Sequence, residues 1–517
     1  MTDILIGVGG TGAKIVESVM ILLAAGMGPK ELHVGLVDQD NANGNVARTK
    51  TLISNYGDFR DLWSRNSEAA ALDWQGGGDA GPFDFCRTEI VPLFADSPAW
   101  CPGKDQTTLN NMIGQNLHPP LKDLFDLLFM EGEEEQDLML GEGYRGRAHV
   151  GAAALISRLI DPANPLTANM TELMAGGGSR EQVRIFLAGS AFGGTGAAGF
   201  PTIARELNRI RSSKEFVNKG NVAIGGALML PYFGFAAPEQ EDKNKVVTTD
   251  ELLPKAQLAL EHYGNLFQTE PAIDRFYLVG WDEFFQLAYH EAGNAEQCNP
   301  PLLPELMAAA AAIGFFRDED SATPAATVTD ERVRLLARSG QSLRWSDFPL
   351  SDMQEKLGHL FRFAVYWRYA ATDLIRTRRP LIGKGNWTHQ LNEKAKFEDA
   401  VTALQALDTL LGDILTFAAS VEWMARRHWE IGPWQIAALR NHQFSPTPTA
   451  PVQLLDPHPA PAERFSNAVR TEDGKPLARD AATVYDDLEN RGAELAAGEH
   501  RGFGRVVAAA YRATKVN

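Results

Sequence analysis

"FLAGSAFGGTGAAGFPTIARELNRI" (Phe186–Ile210) sets an apolar run against an amphipathic one, with small residues, glycines and a threonine between them. Such a junction reads as a buried strand, a tight loop and a helix. A stretch of the same design, "DILIGVGGTGAKIVESV" (Asp3–Val19), lies near the start of the chain. Glycine-rich turns between a strand and a helix expose unpaired N–H groups at the positive end of the helix dipole. Anions, phosphates above all, bind there, and glycine lets them approach the backbone.

Around the first loop, Ile4–Val8 reads as a buried strand and Ala13–Leu23 as a helix. A second strand, Leu32–Val37, ends in Asp38, Asp40 and Asn41. This is the β–α–β rhythm of a parallel sheet with covering helices. From about 49 to 140 regularity weakens: "WQGGGDAGPFDF" is expected to be a surface insertion and "EGEEEQD" (Glu131–Asp137) a solvated loop or helix end. Alternation resumes with "GYRGRAHVG" (Gly143–Gly151) feeding a helix and continues to about Asp318. The polar "RDEDSATPAATVTDE" is a candidate boundary. Beyond it "RVRLLARSGQSLRW" reads as a hairpin, followed by long amphipathic helices and a proline-rich "SPTPTAPVQLLDPHPAPAE" that reads as a surface loop or linker. The expected organisation is an α/β nucleotide-binding domain over 1–318, with an insertion at about 49–140, then a helix-rich domain over 319–517.

The 517 residues are too many for one compact core. A balance of 49 basic to 66 acidic residues, net −17, speaks against general affinity for nucleic acid or anionic lipid. Cys86, Cys101 and Cys298 have no paired spacing, so neither a disulfide framework nor a zinc site is expected. No apolar run nears the roughly 18 residues of a membrane span, and "MTDILIGVGG" is too short for a signal peptide, so a cytoplasmic location is expected. His149, His262 and His290 lack ligand spacing, and Trp423, Trp429 and Trp434 read as packing residues.

Gly7-Val8-Gly9-Gly10-Thr11-Gly12 satisfies the dinucleotide fingerprint, with Asp38 where a ribose-binding acid would stand. Taken alone it points to an NAD(P)-dependent oxidoreductase. The second loop, Gly193-Gly194-Thr195-Gly196-Ala197-Ala198-Gly199, changes the balance: it resembles the glycine signature of the tubulin/FtsZ superfamily, which wraps the phosphates of GTP. Phe192 stands for a third glycine, and Ala197-Ala198 for the hydroxyl-bearing position. The N-terminal loop is similar to that family's first nucleotide loop, and the order agrees over residues 1 to about 315. The match is closest to divergent bacterial tubulin-like chains.

The resemblance implies a GTP or GDP site, with Mg2+ as a companion cation. Gly9, Gly10, Thr11, Gly12, Gly193, Gly194, Thr195 and Gly196 would hold the phosphates, and Asp38, Asp40 and Asn41 the ribose and metal side. Arg145 and Arg147 would sit in the γ-phosphate-sensing loop, their other reading being surface pairing with nearby glutamates. Lys14 reads as a solvated helix residue. The family hydrolyses GTP between protomers through an acidic loop, and its Asn-x-Asp-x-x-Asp pattern does not occur here. The nearest substitutes are Asn299 and Glu305, the latter equally readable as a helix N-terminal acid. Head-to-tail self-assembly into filaments, with slow or absent hydrolysis, is therefore expected. A protein partner on the C-terminal region and a nucleotide-locked scaffold remain open alternatives.

Overall fold

The computed structural model describes residues 1–40, 42–65, 83–95, 97–103, 107–176, 182–213, 221–235, 249–282, 285–287, 295, 297–318, 332–338, 342–368, 397–436, 468–476, 481–497 and 503–515. Asn41, His290, the proline-rich segment and most of the expected boundary (319–331) lie outside them. The main strands are β1 (Thr2–Val8), β2 (Glu31–Val37), β3 (Glu89–Pro92), β4 (Ala99–Trp100), β5 (Val183–Ser190) and β6 (Val222–Met229). They continue with β7 (Phe233–Phe235), β8 (Arg275–Trp281), β9 (Phe285–Leu287) and β10 (Val333–Arg338). Early helices are α1 (Gly9–Ala24), α2 (Gly44–Arg65), α3 (Leu109–Met112), α4 (Pro119–Leu128), α5 (Ala148–Leu159) and α6 (Pro165–Gly176). Then come α7 (Gly194–Ser212), α8 (Thr249–Thr269) and α9 (Leu303–Arg317). The C-terminal helices are α10 (Met353–Tyr366), α11 (Phe397–His428), α12 (Ala481–Leu495) and α13 (Phe503–Ala513).

The chain is an α/β protein whose central sheet runs β10-β8-β6-β5-β1-β2-β3, with β4 also on β2 and all pairings parallel. Strands buried on both faces read as near-continuous apolar runs, which is why β1, β5 and β6 carry so little polarity. From β1 the chain crosses through α1 to β2 on one side, and from β5 through α7 to β6 on the other. Right-handed crossovers in opposite directions put α1 and α7 on opposite faces. The strand order reverses between β1 and β5. Arg184 of β5 clamps that pair at its base, donating to Asp3 of β1 at 2.7 and 2.8 Å.

Three expectations are corrected. Among its described residues the "RVRLLARSGQSLRW" stretch forms no hairpin from its apolar run: Val333–Arg338 pairs in parallel with β8 and extends the sheet past position 318. Parallel pairing depends on a distant partner, which local pattern does not encode. The "FDF" end (Phe83–Phe85) of the expected surface insertion is packed into the core, because Phe83 and Phe85 are fully buried against Tyr511 and Phe363 of the C-terminal helices, while the rest of that stretch lies outside the described residues. Within "EGEEEQD", Glu131, Glu134 and Asp137 are exposed as expected, and the correction is confined to Glu135 and Gln136: Glu135 is 4% exposed, accepting from the Met130 amide at 2.9 Å and pairing with His149 at 2.8 Å.

One apolar cluster runs from the sheet into α10, α11 and α13. Trp429 and Trp434 are buried in it beside Trp345, and Trp423 packs on its edge. Helix α1 is buried nearly all round, between α2 and α9 and touching α10. Helix α7 is amphipathic and packs on α5. It begins at Gly194, so Pro201 stands in its interior rather than at its start. Proline removes the bond to the carbonyl four residues back. That carbonyl, on Ala197, accepts the Tyr263 hydroxyl instead.

Candidate functional site

In open parallel sheets the carboxyl ends of the strands flanking a reversal of strand order form a crevice. Here those ends are the two glycine loops. Gly9 has φ +72°, and a Cβ on it would stand 3.0 Å from the Gly196 nitrogen, so the loops are in backbone contact. Gly9, Gly10, Thr11, Gly193, Gly194, Thr195 and Gly196 all line one cleft of about 150 Å3. Gly12 lies behind it: a Cβ there would meet the Ala188 carbonyl at 2.6 Å, so its role is to let α1 close onto β5. No side chain caps α1, α5 or α7. Their first turns therefore keep N–H groups free for a ligand.

Asp38 ties the segment after β2 to the second glycine loop. Its carboxylate accepts from Thr195 Oγ1 at 2.9 Å, the Asp40 amide at 3.2 Å and Asn43 Nδ2 at 3.1 Å. Burial pushes its pKa up to about 7, and the neighbouring Asp40 charge adds to the rise. Asp40 lines the cleft and accepts from the Ala42 amide at 2.9 Å. Arg145, in the left-handed region at φ 44°, pairs with Glu142 and reaches the cleft, as its surface reading held. Arg147 lines an adjoining apolar groove of about 820 Å3 instead, which shares Arg145, Gly146 and Phe192 with the cleft.

Asn299 lines the cleft, and its carbonyl accepts from Arg48 Nη2 at 2.7 Å. Glu305 lies elsewhere in character: it is 0% exposed, and its Oε2 accepts from the Leu302 amide at 3.1 Å, closing the first turn of α9. Full burial keeps this carboxylate from reaching into another chain. Its other oxygen meets Lys14 Nζ at 2.5 Å and the Tyr232 hydroxyl. Lys14 is 2% exposed and is part of the cleft wall, not the solvated residue expected.

Asn45, Ser190 and Gln297 are cleft residues that the sequence reading does not name, and Lys14 and Phe192, which it names in other roles, line the cleft as well. A signal for Lys14 was present. Its helix, "GGTGAKIVESVMILLA", carries only one other charged residue, Glu17, and is otherwise small or apolar over most of its length, as a helix buried on most sides would be. Among the described residues there is no group of three or more His, Cys, Asp or Glu placed to hold a metal ion, and no helix long and apolar enough to cross a membrane. No family model matches the chain, and neither the curated proteins nor the solved structures give a match.

Proposed function

We propose that the protein binds a guanine nucleotide, GTP or GDP, with its phosphates between the two glycine loops, as the resemblance to the tubulin/FtsZ superfamily implies. The observation that carries this reading is the meeting of both loops, each an uncapped helix N-terminus, in one cleft at the strand-order reversal. The amides of Asn45, Gln297 and Asn299 offer donors and acceptors for a nucleobase. Asp40 is the cleft carboxylate that would hold a Mg2+ beside the phosphate oxygens.

A sheet of this order also suits a dinucleotide, so an NAD(P)-dependent oxidoreductase is the rival. One feature favours the two-loop reading: the Asp38 carboxylate is engaged by Thr195 and Asn43, not left free for a ribose diol. Assembly is the second part of the proposal. A nucleotide at a head-to-tail contact generates open filaments, and the net charge of −17 makes such contacts easier as salt screens repulsion. Hydrolysis is slow or absent, since Glu305 is turned inward. Light scattering at micromolar protein with and without GTP tests this. Nucleotide-dependent scattering is expected, whereas a strictly monomeric GTP-bound chain would leave a partner-binding switch.

A further inference from the structure

The Lys14 side chain forms part of the cleft wall, and the groups that hold its ammonium come from far along the chain. It donates to the Tyr232 hydroxyl at 2.8 Å and meets Glu305 Oε1 at 2.5 Å. It also lies 5.2 and 5.0 Å from the ring centres of Tyr232 and Phe233. The Tyr232 hydroxyl bonds in turn to Glu305 and to the side chain of Thr11 in the first glycine loop. A lysine is thus held under the loop by one buried carboxylate, beside a cleft lined by helix N-termini. The carboxylate has a second task, the Leu302 amide of α9. The next amide, Leu303, reaches Met424 Sδ of α11 at 3.1 Å.

We propose that Lys14 is the phosphate-binding cation of this site and that Glu305 is its positioning residue, competing with the nucleotide for the ammonium. The inference rests on the nucleotide reading above. Without ligand, the Lys14 charge is neutralised by Glu305. When phosphate oxygens enter, their negative charge draws Nζ away from the carboxylate, and Tyr232 remains as the shared hydrogen-bond partner. Glu305, freed from Lys14, resettles at the first turn of α9, so occupancy of the cleft is felt where α9 meets α11. A buried pair that exists only for stability would behave differently. Removing its acidic half would leave affinity for phosphate unchanged or lower.

The test titrates fluorescent GTP into wild-type protein, Glu305→Gln and the double variant K14Q/E305Q, with thermal melts to confirm folding. Glu305→Gln keeps an acceptor for the Leu302 amide and removes the competing charge, so it should bind about tenfold more tightly. The double variant carries neither charge of the pair and should bind at least about tenfold more weakly than wild type. Equal or weaker binding by folded Glu305→Gln, or wild-type affinity in the double variant, would overturn the proposal. Hydrogen exchange on the wild-type protein gives a readout free of substitutions: GTP should slow exchange at the Leu302 amide, which then holds the Glu305 carboxylate without competition from Lys14. Unchanged protection there with GTP bound would also overturn it. Absence of any GTP binding by the wild type would instead remove the nucleotide reading itself.

Discussion

The two glycine loops share a design and differ in what lies beneath them. The first is built tight. A Cβ on Gly7 or Gly12 would stand 2.8 or 2.6 Å from backbone oxygen, and α1 behind it is buried nearly all round between α2 and α9. Its charge, Lys14, is therefore an interior charge with an interior partner. The second loop is open at its first glycine and tight beyond it, where a Cβ on Gly194 or Gly196 would stand 3.0 Å from backbone nitrogen. A Cβ on Gly193 would meet only the Ser190 hydroxyl, at 3.1 Å, and α7 behind it turns an arginine-bearing face outward. Its associated cations, Arg145 and Arg147, come from the neighbouring Gly143–Gly151 segment. Identical local chemistry is thus served by a half that is rigid throughout and bears its own charge, and by a half that is permissive at its first glycine. Substitutions should sort accordingly.

The largest effect is expected at Lys14. Lys14→Met leaves the Glu305 carboxylate buried without its cation, and breaking such a pair costs about 3–5 kcal/mol. Urea denaturation should show that loss, and adding Glu305→Gln to the same chain should recover part of it. Next comes Gly12→Ala, where the new methyl meets the Ala188 carbonyl at 2.6 Å. Overpacking of this kind costs about 1–3 kcal/mol, visible as a lower unfolding midpoint.

Acid should loosen the first half before the second. His359 of α10 is buried against the Tyr511 carbonyl at 2.7 Å, and burial lowers its pKa from 6.5 to about 3. Below pH 6.5 the unfolded chain takes up a proton that the folded chain refuses. Stability then falls by about 1.4 kcal/mol per pH unit as pH drops toward 3, and is independent of this group above 6.5. Because α10 touches α1, exchange protection in α1 should fade at lower pH before that in α7, and His359→Gln should flatten the acid limb. Simultaneous loss in both helices would break the comparison. The smallest effect on stability is expected at Gly193, whose φ of −83° suits any residue. Gly193→Ala should shift stability by less than about 0.5 kcal/mol, while a methyl in the cleft should weaken GTP binding at least about tenfold.

The parts of this architecture that can be read locally were legible. Both strand–loop–helix junctions are written as apolar runs broken by glycine, and β1, β2, β5, β6 and β8 fall where those runs lie. What escaped depends on residues far apart in sequence. Lys14 is explained only by Tyr232 and Glu305, 218 and 291 positions away, and read alone it looked like a surface residue. Val333–Arg338 became a sheet edge because β8 offered a parallel partner. Pro201 is tolerated inside α7 because Tyr263 satisfies the carbonyl it orphans. Phe83 and Phe85 looked like a loop's end until the C-terminal helices supplied a core around them. Among the site residues, Asp38 was picked for its place after β2. Its engagement with Thr195 of the other loop is a tertiary fact.

The central claim is that both loops grip one nucleotide. Its most direct test is a paired titration of the purified protein with fluorescent GTP and with NADH, repeated on Gly196→Val. In that variant a branched side chain would crowd the Ser190 backbone and the cleft, where Cβ alone stands 3.0 Å from the Ser190 nitrogen. Saturable GTP binding by the wild type, lost in a still-folded Gly196→Val, is the predicted result. Saturable NADH binding with no GTP signal would contradict it.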